Sequence, residues 1–176
     1  MSGIVGGTSN RNILPILVEG LRRLEYRGYD SAGVAYKNNG KISLVKNAGR
    51  VEELADKLNL KNNSANIGIA HTRWATHGVP SEKNAHPHNC KNNIYVVHNG
   101  IIENHLTLKD MLLKEGFKFS SQTDTEVIAH LIQLYMEKGK DLDSAVISTI
   151  AKLKGAYALG ILDKNNPETL IGVRQQ

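Results

Sequence analysis

Apolar positions along the chain recur at two spacings, and the switch between them lays out most of the elements. Ile13, Leu14, Leu17, Val18, Leu21 and Leu24 fall three or four apart, which predicts one helix with a single buried stripe. Asn10 stands ahead of that stripe as a candidate cap, and Pro15 lies about one turn in, where a missing N–H is tolerated. Residues 3–7, before the helix, are short, apolar and glycine-flanked, and read as a strand. After it, residues 32–36 and 42–45 are apolar runs split by Lys37-Asn38-Asn39-Gly40-Lys41, with Asn39-Gly40 a strong hairpin-turn signal. Residues 51–58 predict a short helix, and 65–71 and 94–98 predict strands. Residues 104–115, 124–138 and 142–153 carry helical periodicity, and 155–162 and 169–173 close the chain as strands. Strands first, helices grouped in the middle and strands again at the end predict an α+β layered fold rather than alternating βαβ units.

Residues 73–93 break this pattern, and a long aperiodic segment inside a compact domain is usually functional. It is entered through His71-Thr72-Arg73-Trp74-Ala75-Thr76-His77-Gly78. Arg73 offers a planar fork of donors suited to a carboxylate. Trp74 beside it can shield an ion pair or act as a movable cover, and Thr76 and His77 add donors and acceptors. A structural salt bridge and an ordinary core tryptophan would explain the same pair. Further on, a buried strand ends in Asn99-Gly100, where an amide NH2 and a backbone N–H could form an oxyanion hole; a simple Asn-Gly turn is the alternative. Asp124, in Thr123-Asp124-Thr125-Glu126, could hold a substrate ammonium, or Thr123 or Asp124 could cap a helix. A guanidinium for a carboxylate and a carboxylate for an ammonium together describe an α-amino acid. The oxyanion donors describe attack on its side-chain carbonyl.

Composition narrows the classes. The formal charge of +5 arises from 22 Lys and Arg against 17 Asp and Glu, spread along a chain with only 5% aromatic residues, which argues against nucleic acid. No apolar run approaches the ~18 residues of a membrane span, and no secretory signal is evident, so no membrane partner is expected. Cys90, the single cysteine, cannot form an internal disulfide, which suits a reducing, cytoplasmic compartment. Five of the 7 histidines lie between residues 71 and 98, but His86-Pro87-His88-Asn89-Cys90 matches no common zinc spacing; histidines bracing a rigid loop are expected, with no metal and no cofactor.

The segments 21–33, 71–78, 84–88, 98–104 and 123–130 together resemble the glutaminase domain of the glutamine–fructose-6-phosphate aminotransferases, in that family's order. Other amidotransferases of the same fold match only parts of this set. The resemblance implies a four-layer αββα sandwich of the N-terminal-nucleophile hydrolase type. It implies that residues 1–176 form a glutaminase domain incomplete at its C-terminal end, with the sugar-isomerase domains that bind fructose 6-phosphate absent. An edge strand left open, or paired with another chain, is expected there. A homo-oligomer is implied for the full-length protein.

By the same resemblance, the substrate is L-glutamine and residue 2 is the nucleophile. In that family a terminal cysteine, exposed by removal of the initiator Met, attacks the amide while its own α-amino group serves as base. Asn99 and Gly100 match the oxyanion donors, Arg73 the α-carboxylate binder and Asp124 the ammonium binder. Thr76 and His77 match the pocket lining and Trp74 the gating cover. Residue 2 here is Ser, however, and Met1 precedes it. A hydroxyl ionises far less readily than a thiol, and an acylated nitrogen has no lone pair to act as base, so an impaired glutaminase is expected. The rival reading is a non-catalytic glutamine-binding module.

Overall fold

The computed structural model describes residues 1–176 as two antiparallel four-stranded sheets enclosed between helices. Strands β1 (Gly3–Thr8), β2 (Ser31–Asn38), β3 (Lys41–Ala48) and β4 (Ile67–Arg73) form the first sheet, in the order β1-β4-β2-β3. Strands β5 (His88–Cys90), β6 (Ile94–Gly100), β7 (Tyr157–Asp163) and β8 (Leu170–Gln175) form the second, in the order β5-β6-β7-β8. Helices α1 (Leu14–Leu24) and α2 (Val51–Leu58) cover the outside of the first sheet. On the second, α4 (Glu126–Glu137) packs directly against β5 and β6, flanked by α3 (His105–Lys114) and α5 (Leu142–Ile150). The two sheets meet through β1 and β4 against β6 and β7, so the layers run helix, sheet, sheet, helix.

Strand periodicity divides the core accordingly. In β6, Ile94 and Val96 join the cluster under α3, α4 and α5, whereas Tyr95 and Val97 join Ile67, Ile69 and Leu162 between the sheets. In β4, Ala70 faces the cluster beneath α1 and α2 while Ile67 and Ile69 face inward. Odd residues of both strands therefore point into the inter-sheet layer. This alternation carries forward to the polar ends of β4 and β6.

Most expected elements are present, and their departures have local causes. The hairpin turn is built as anticipated, with Asn39 and Gly40 both at positive φ, at 51° and 76°. Asn10 does not cap α1. The helix begins four residues later, and it is Asn12 whose Oδ1 accepts from the backbone N–H groups of Leu14 and Ala65, at 3.2 and 3.0 Å. Pro15 consequently lies at the very start of the helix rather than a turn in, and Leu24 is half-buried where Leu14, Leu17, Val18 and Leu21 are fully buried. Asp124 is not a cap either: the cap position of α4 is Thr125, which makes no side-chain capping bond. Residues 73–93 are not wholly aperiodic, because His88–Cys90 forms β5 along β6, closed by Lys91 and Asn92 at positive φ. Strand β8 is an edge strand that pairs only with β7.

Candidate active site

The predicted site residues converge. Ser2, Arg73, Trp74, Thr76, His77, Asn99, Gly100 and Asp124 all line one cavity of about 570 Å³ at the end of the inter-sheet layer. The ladder explains the meeting of residues so distant in sequence. Strand β1 pairs antiparallel with β4, Gly3 opposite Thr72, which sets Ser2 beside the chain leaving β4 at Arg73 and Trp74. There the Trp74 backbone N–H donates to Ser2 Oγ at 2.9 Å. From the second sheet, Asn99 Nδ2 donates to the Ser2 carbonyl oxygen at 3.0 Å. Met1 extends into the same cavity, its ammonium donating to the Arg27 carbonyl at 2.7 Å.

Gly100 adopts φ +117°, and a Cβ there would run into the Ala156 carbonyl and the Tyr157 backbone. Only glycine lets the end of β6 turn away at this point. Asp124 is nearly fully buried, and its Oδ2 accepts from the Ile102 N–H at 2.8 Å. Its other oxygen lies 3.9 Å from both His77 Nδ1 and His98 Nδ1. A carboxylate that caps no helix and faces a cavity is free to meet a cation.

Arg73 differs from the simplest expectation. Its side chain is 3% exposed, and its terminal nitrogens are engaged within the chain. Nη1 donates to Asp30 Oδ1 at 3.5 Å and to the Val79 carbonyl at 3.2 Å; Nη2 donates to the Gly78 carbonyl at 3.1 Å and to that of His77. Burial lowers its pKa, opposed by Asp30 and Asp124. The guanidinium thus folds the segment 77–79 around itself. Asn84 and Gln122 brace that segment further, Asn84 Nδ2 donating to the Val79 carbonyl and to Gln122 Oε1, both at 2.9 Å. Trp74 is 54% exposed, and its ring lies against Gly28, where any side chain would collide with it. Thr76 Oγ1 and His77 Nδ1 are 3.2 Å apart at the rim.

One contributor, Asp30, escaped the sequence reading, and the histidines expected to brace a rigid loop form a second. Asp30, besides meeting Arg73, accepts from the Ala75 N–H at 2.5 Å, and so anchors both sides of Trp74. The available signal was a carboxylate just before a strand that pairs Ser31 with Arg73. The second is the set of buried imidazoles His71, His86, His88 and His98, of which His86 and His98 line the cavity. Burial drives His71 and His88 down to a pKa of about 3 and His98 to about 4, so these rings are neutral near pH 7. They make specific contacts: His98 Nδ1 with Thr125 Oγ1 at 2.8 Å, and His88 Nε2 with Thr123 Oγ1 at 3.2 Å. Gly33 leaves room for the His86 carbonyl directly above β2.

One cavity thus gathers a guanidinium, a buried carboxylate and a side-chain amide around residue 2. The chain belongs to the glutamine amidotransferase domain family, which it matches over residues 55–175. It is 51% identical over 174 residues to glutamine–fructose-6-phosphate aminotransferase (isomerizing) of Shewanella oneidensis, covering 99% of this chain and 29% of that protein. To the protein of the same name from Acinetobacter baylyi it is 55% identical over 175 residues, covering 99% and 28%. The chain therefore spans less than a third of the length of these relatives. Among solved structures, the glutamine phosphoribosylpyrophosphate amidotransferase of B. subtilis superposes with a TM-score of 0.80 at 28% identity, over 93% of this chain and 35% of that one. A glutamine aminotransferase class-II domain protein from Silicibacter pomeroyi, at 18% identity, shares the fold with a TM-score of 0.59, over 84% and 69%. The fold is the four-layer αββα sandwich of the N-terminal-nucleophile hydrolase type. No helix is long and apolar enough to cross a membrane.

Proposed function

We propose that this chain binds L-glutamine in the cavity around residue 2, and that the site is laid out to hydrolyse the side-chain amide to glutamate and ammonia. The observation that carries the reading is the approach of Asn99 Nδ2 to residue 2 at 3.0 Å in a cavity also lined by Arg73 and Asp124. Asp124 takes the α-ammonium. Arg73 takes the α-carboxylate, which replaces carbonyls of the 77–79 segment on the guanidinium fork. Thr76 and His77 flank the bound amino acid and Trp74 covers it. The side chain of residue 2 attacks the amide carbon, and Asn99 Nδ2 with the Gly100 N–H receives the charge developing on oxygen.

Ser2 makes this form a poor catalyst. Its hydroxyl lacks the thiol's ready ionisation, since an unperturbed thiol titrates near pH ~8.5. With Met1 attached, the Ser2 nitrogen is an amide and cannot take the proton. Binding with little turnover follows, which is also what a glutamine-binding module would show. In a longer protein like the relatives, the ammonia would convert fructose 6-phosphate to glucosamine 6-phosphate for amino-sugar synthesis, in a cytoplasmic homo-oligomer.

The test is Ser2→Cys with Met1 removed, verified by intact mass, and assayed for glutamate release. Glutamine binding by the parent, and a gain of at least about 100-fold in glutamate release by the variant, are expected. Binding without any gain leaves a binding module. No glutamine binding by either form defeats both readings.

A further inference from the structure

We propose that His71 is a positioning residue that sets the orientation of the Asn99 side-chain amide, holding its NH2 toward residue 2 and its oxygen away. This rests on the reading of Asn99 as an oxyanion donor.

A primary amide has almost the same shape after a half-turn about its Cβ–Cγ bond, but its dipole is reversed. In one orientation Asn99 presents Nδ2 to the Ser2 carbonyl at 3.0 Å, and its Oδ1 lies 2.8 Å from His71 Nε2. In the other, Oδ1 would confront the Ser2 carbonyl oxygen and any negative oxygen formed beside it. Stereochemistry alone does not choose between them. A donor on the far side does.

His71 can only be that donor. Its Nε2 faces two acceptors, Asn99 Oδ1 and, at 3.0 Å, the His98 carbonyl oxygen. A backbone carbonyl never donates, so Nε2 carries the proton. On the opposite side of the ring, Nδ1 is buried with no partner at all. A second proton there would find no acceptor, and the ring is 1% exposed, so the neutral Nε2–H tautomer is the one the surroundings accept. Space-filling does not explain a buried ring nitrogen left unpaired, whereas the demand for an Nε2–H at this spot does.

The ring has little freedom to leave this geometry. It stands on the inward face of β4, in step with Ile67 and Ile69, as Asn99 stands on the inward face of β6, in step with Tyr95 and Val97. It stacks on His86, with centroids 4.0 Å apart and planes 13° from parallel. His86 is pinned in turn: its Nδ1 accepts from the His98 N–H at 3.2 Å, and its Nε2 meets Thr125 Oγ1 at 3.4 Å. Burial, together with His98 and Arg73, keeps the His71 imidazole neutral down to about pH 3. The amide orientation is therefore independent of pH through the neutral range.

The experiment has a spectroscopic arm and a kinetic arm. Long-range ¹H–¹⁵N correlation on the ¹⁵N-histidine protein, with His71 assigned by its loss in His71→Gln, should show a neutral Nε2–H tautomer unchanged from about pH 5 to about pH 8. The Asn99 side-chain NH2 resonances, assigned through Asn99→Ala, should persist in His71→Gln and shift or broaden in His71→Phe. In the Ser2→Cys protein freed of Met1, His71→Phe should lower kcat about 100-fold with KM changed less than about threefold, the loss expected when one oxyanion donor is removed. His71→Gln, whose amide nitrogen reaches the Nε2 position, should recover kcat to within about tenfold. An Nδ1–H tautomer, an imidazolium near pH 7, or Asn99 resonances indifferent to His71→Phe would overturn the assignment, as would Phe outperforming Gln. Should Ser2→Cys freed of Met1 release no glutamate, the hydrolase reading fails and the spectra alone decide on His71. Should His71→Phe not fold, the tautomer of the parent and the NH2 signals of the Gln variant decide.

Discussion

Replacing Arg73 by lysine separates two jobs that the side chain performs. The guanidinium is 3% exposed, and it donates to the carbonyls of His77, Gly78 and Val79 as well as to Asp30. Lysine keeps the positive charge but not the planar fork. If Arg73 receives the α-carboxylate of glutamine, the variant loses about one charge-assisted hydrogen bond, roughly 2 kcal/mol. That corresponds to about a 30-fold rise in Kd. The stability cost is smaller. Gly78 and Val79 are exposed and His77 half-exposed, so water can satisfy the freed carbonyls. A loss of about 1 kcal/mol, lowering Tm by roughly 2–4 °C for a chain of this size, is expected. Isothermal titration with L-glutamine reads the first quantity and calorimetric melting the second. The unmodified Ser2 protein suits the titration because it should not consume the ligand. A Kd within about threefold of the parent would refute the carboxylate role. A Tm drop above roughly 10 °C would show that Arg73 chiefly holds the 77–79 segment in place.

Three further outcomes follow from the same structure. Gly33→Ala should cost about 1–3 kcal/mol in chemical denaturation, because its Cβ would overlap the His86 carbonyl, a backbone atom with no room to yield; unchanged stability would mean that residues 84–87 can move as a unit. Burial alone would raise the Glu126 carboxyl pKa, but His130 and Ser120 bond its charged form and hold it down to about 2. A depressed folded-state pKa contributes stability above the unfolded value near ~4.3 that is lost as pH falls toward about 2, so acid unfolding in that window should flatten in Glu126→Gln. Burial pushes the Cys90 thiol up to about 12, so a native chain should show no reactive thiol to a disulfide reagent near pH ~8, and Ser2→Cys should show one; rapid labelling of the unsubstituted protein would contradict this.

Local signals in the chain were informative wherever one residue type fits one backbone geometry. Asn39-Gly40 announced its turn because few pairs adopt two successive positive φ angles, and the spacing of Leu14, Leu17, Val18 and Leu21 announced α1 because a helix must bury one stripe. The start of α1 was misread because Asn10 and Asn12 look alike in sequence, and it is Asn12 that meets the N–H groups of Leu14 and, across the fold, Ala65. Strand β5 was missed because three residues show no periodicity; it exists through pairing with β6. The candidate residues Arg73, Asn99 and Asp124 stood out as polar groups at element ends. That Arg73 is occupied by its own loop, and that His71 lies behind Asn99, depend on contacts across the two sheets. No one-dimensional pattern encodes those.

The β1–β4 ladder has a practical corollary for handling the protein. Because Gly3 is locked opposite Thr72 and the 72% exposed Met1 lines the cavity, a polypeptide fused ahead of residue 1 would leave from the mouth of the pocket beside Arg27. An affinity tag at that end would crowd the entrance. Purification handles belong at the other end of the chain, where Gln175 and Gln176 are exposed.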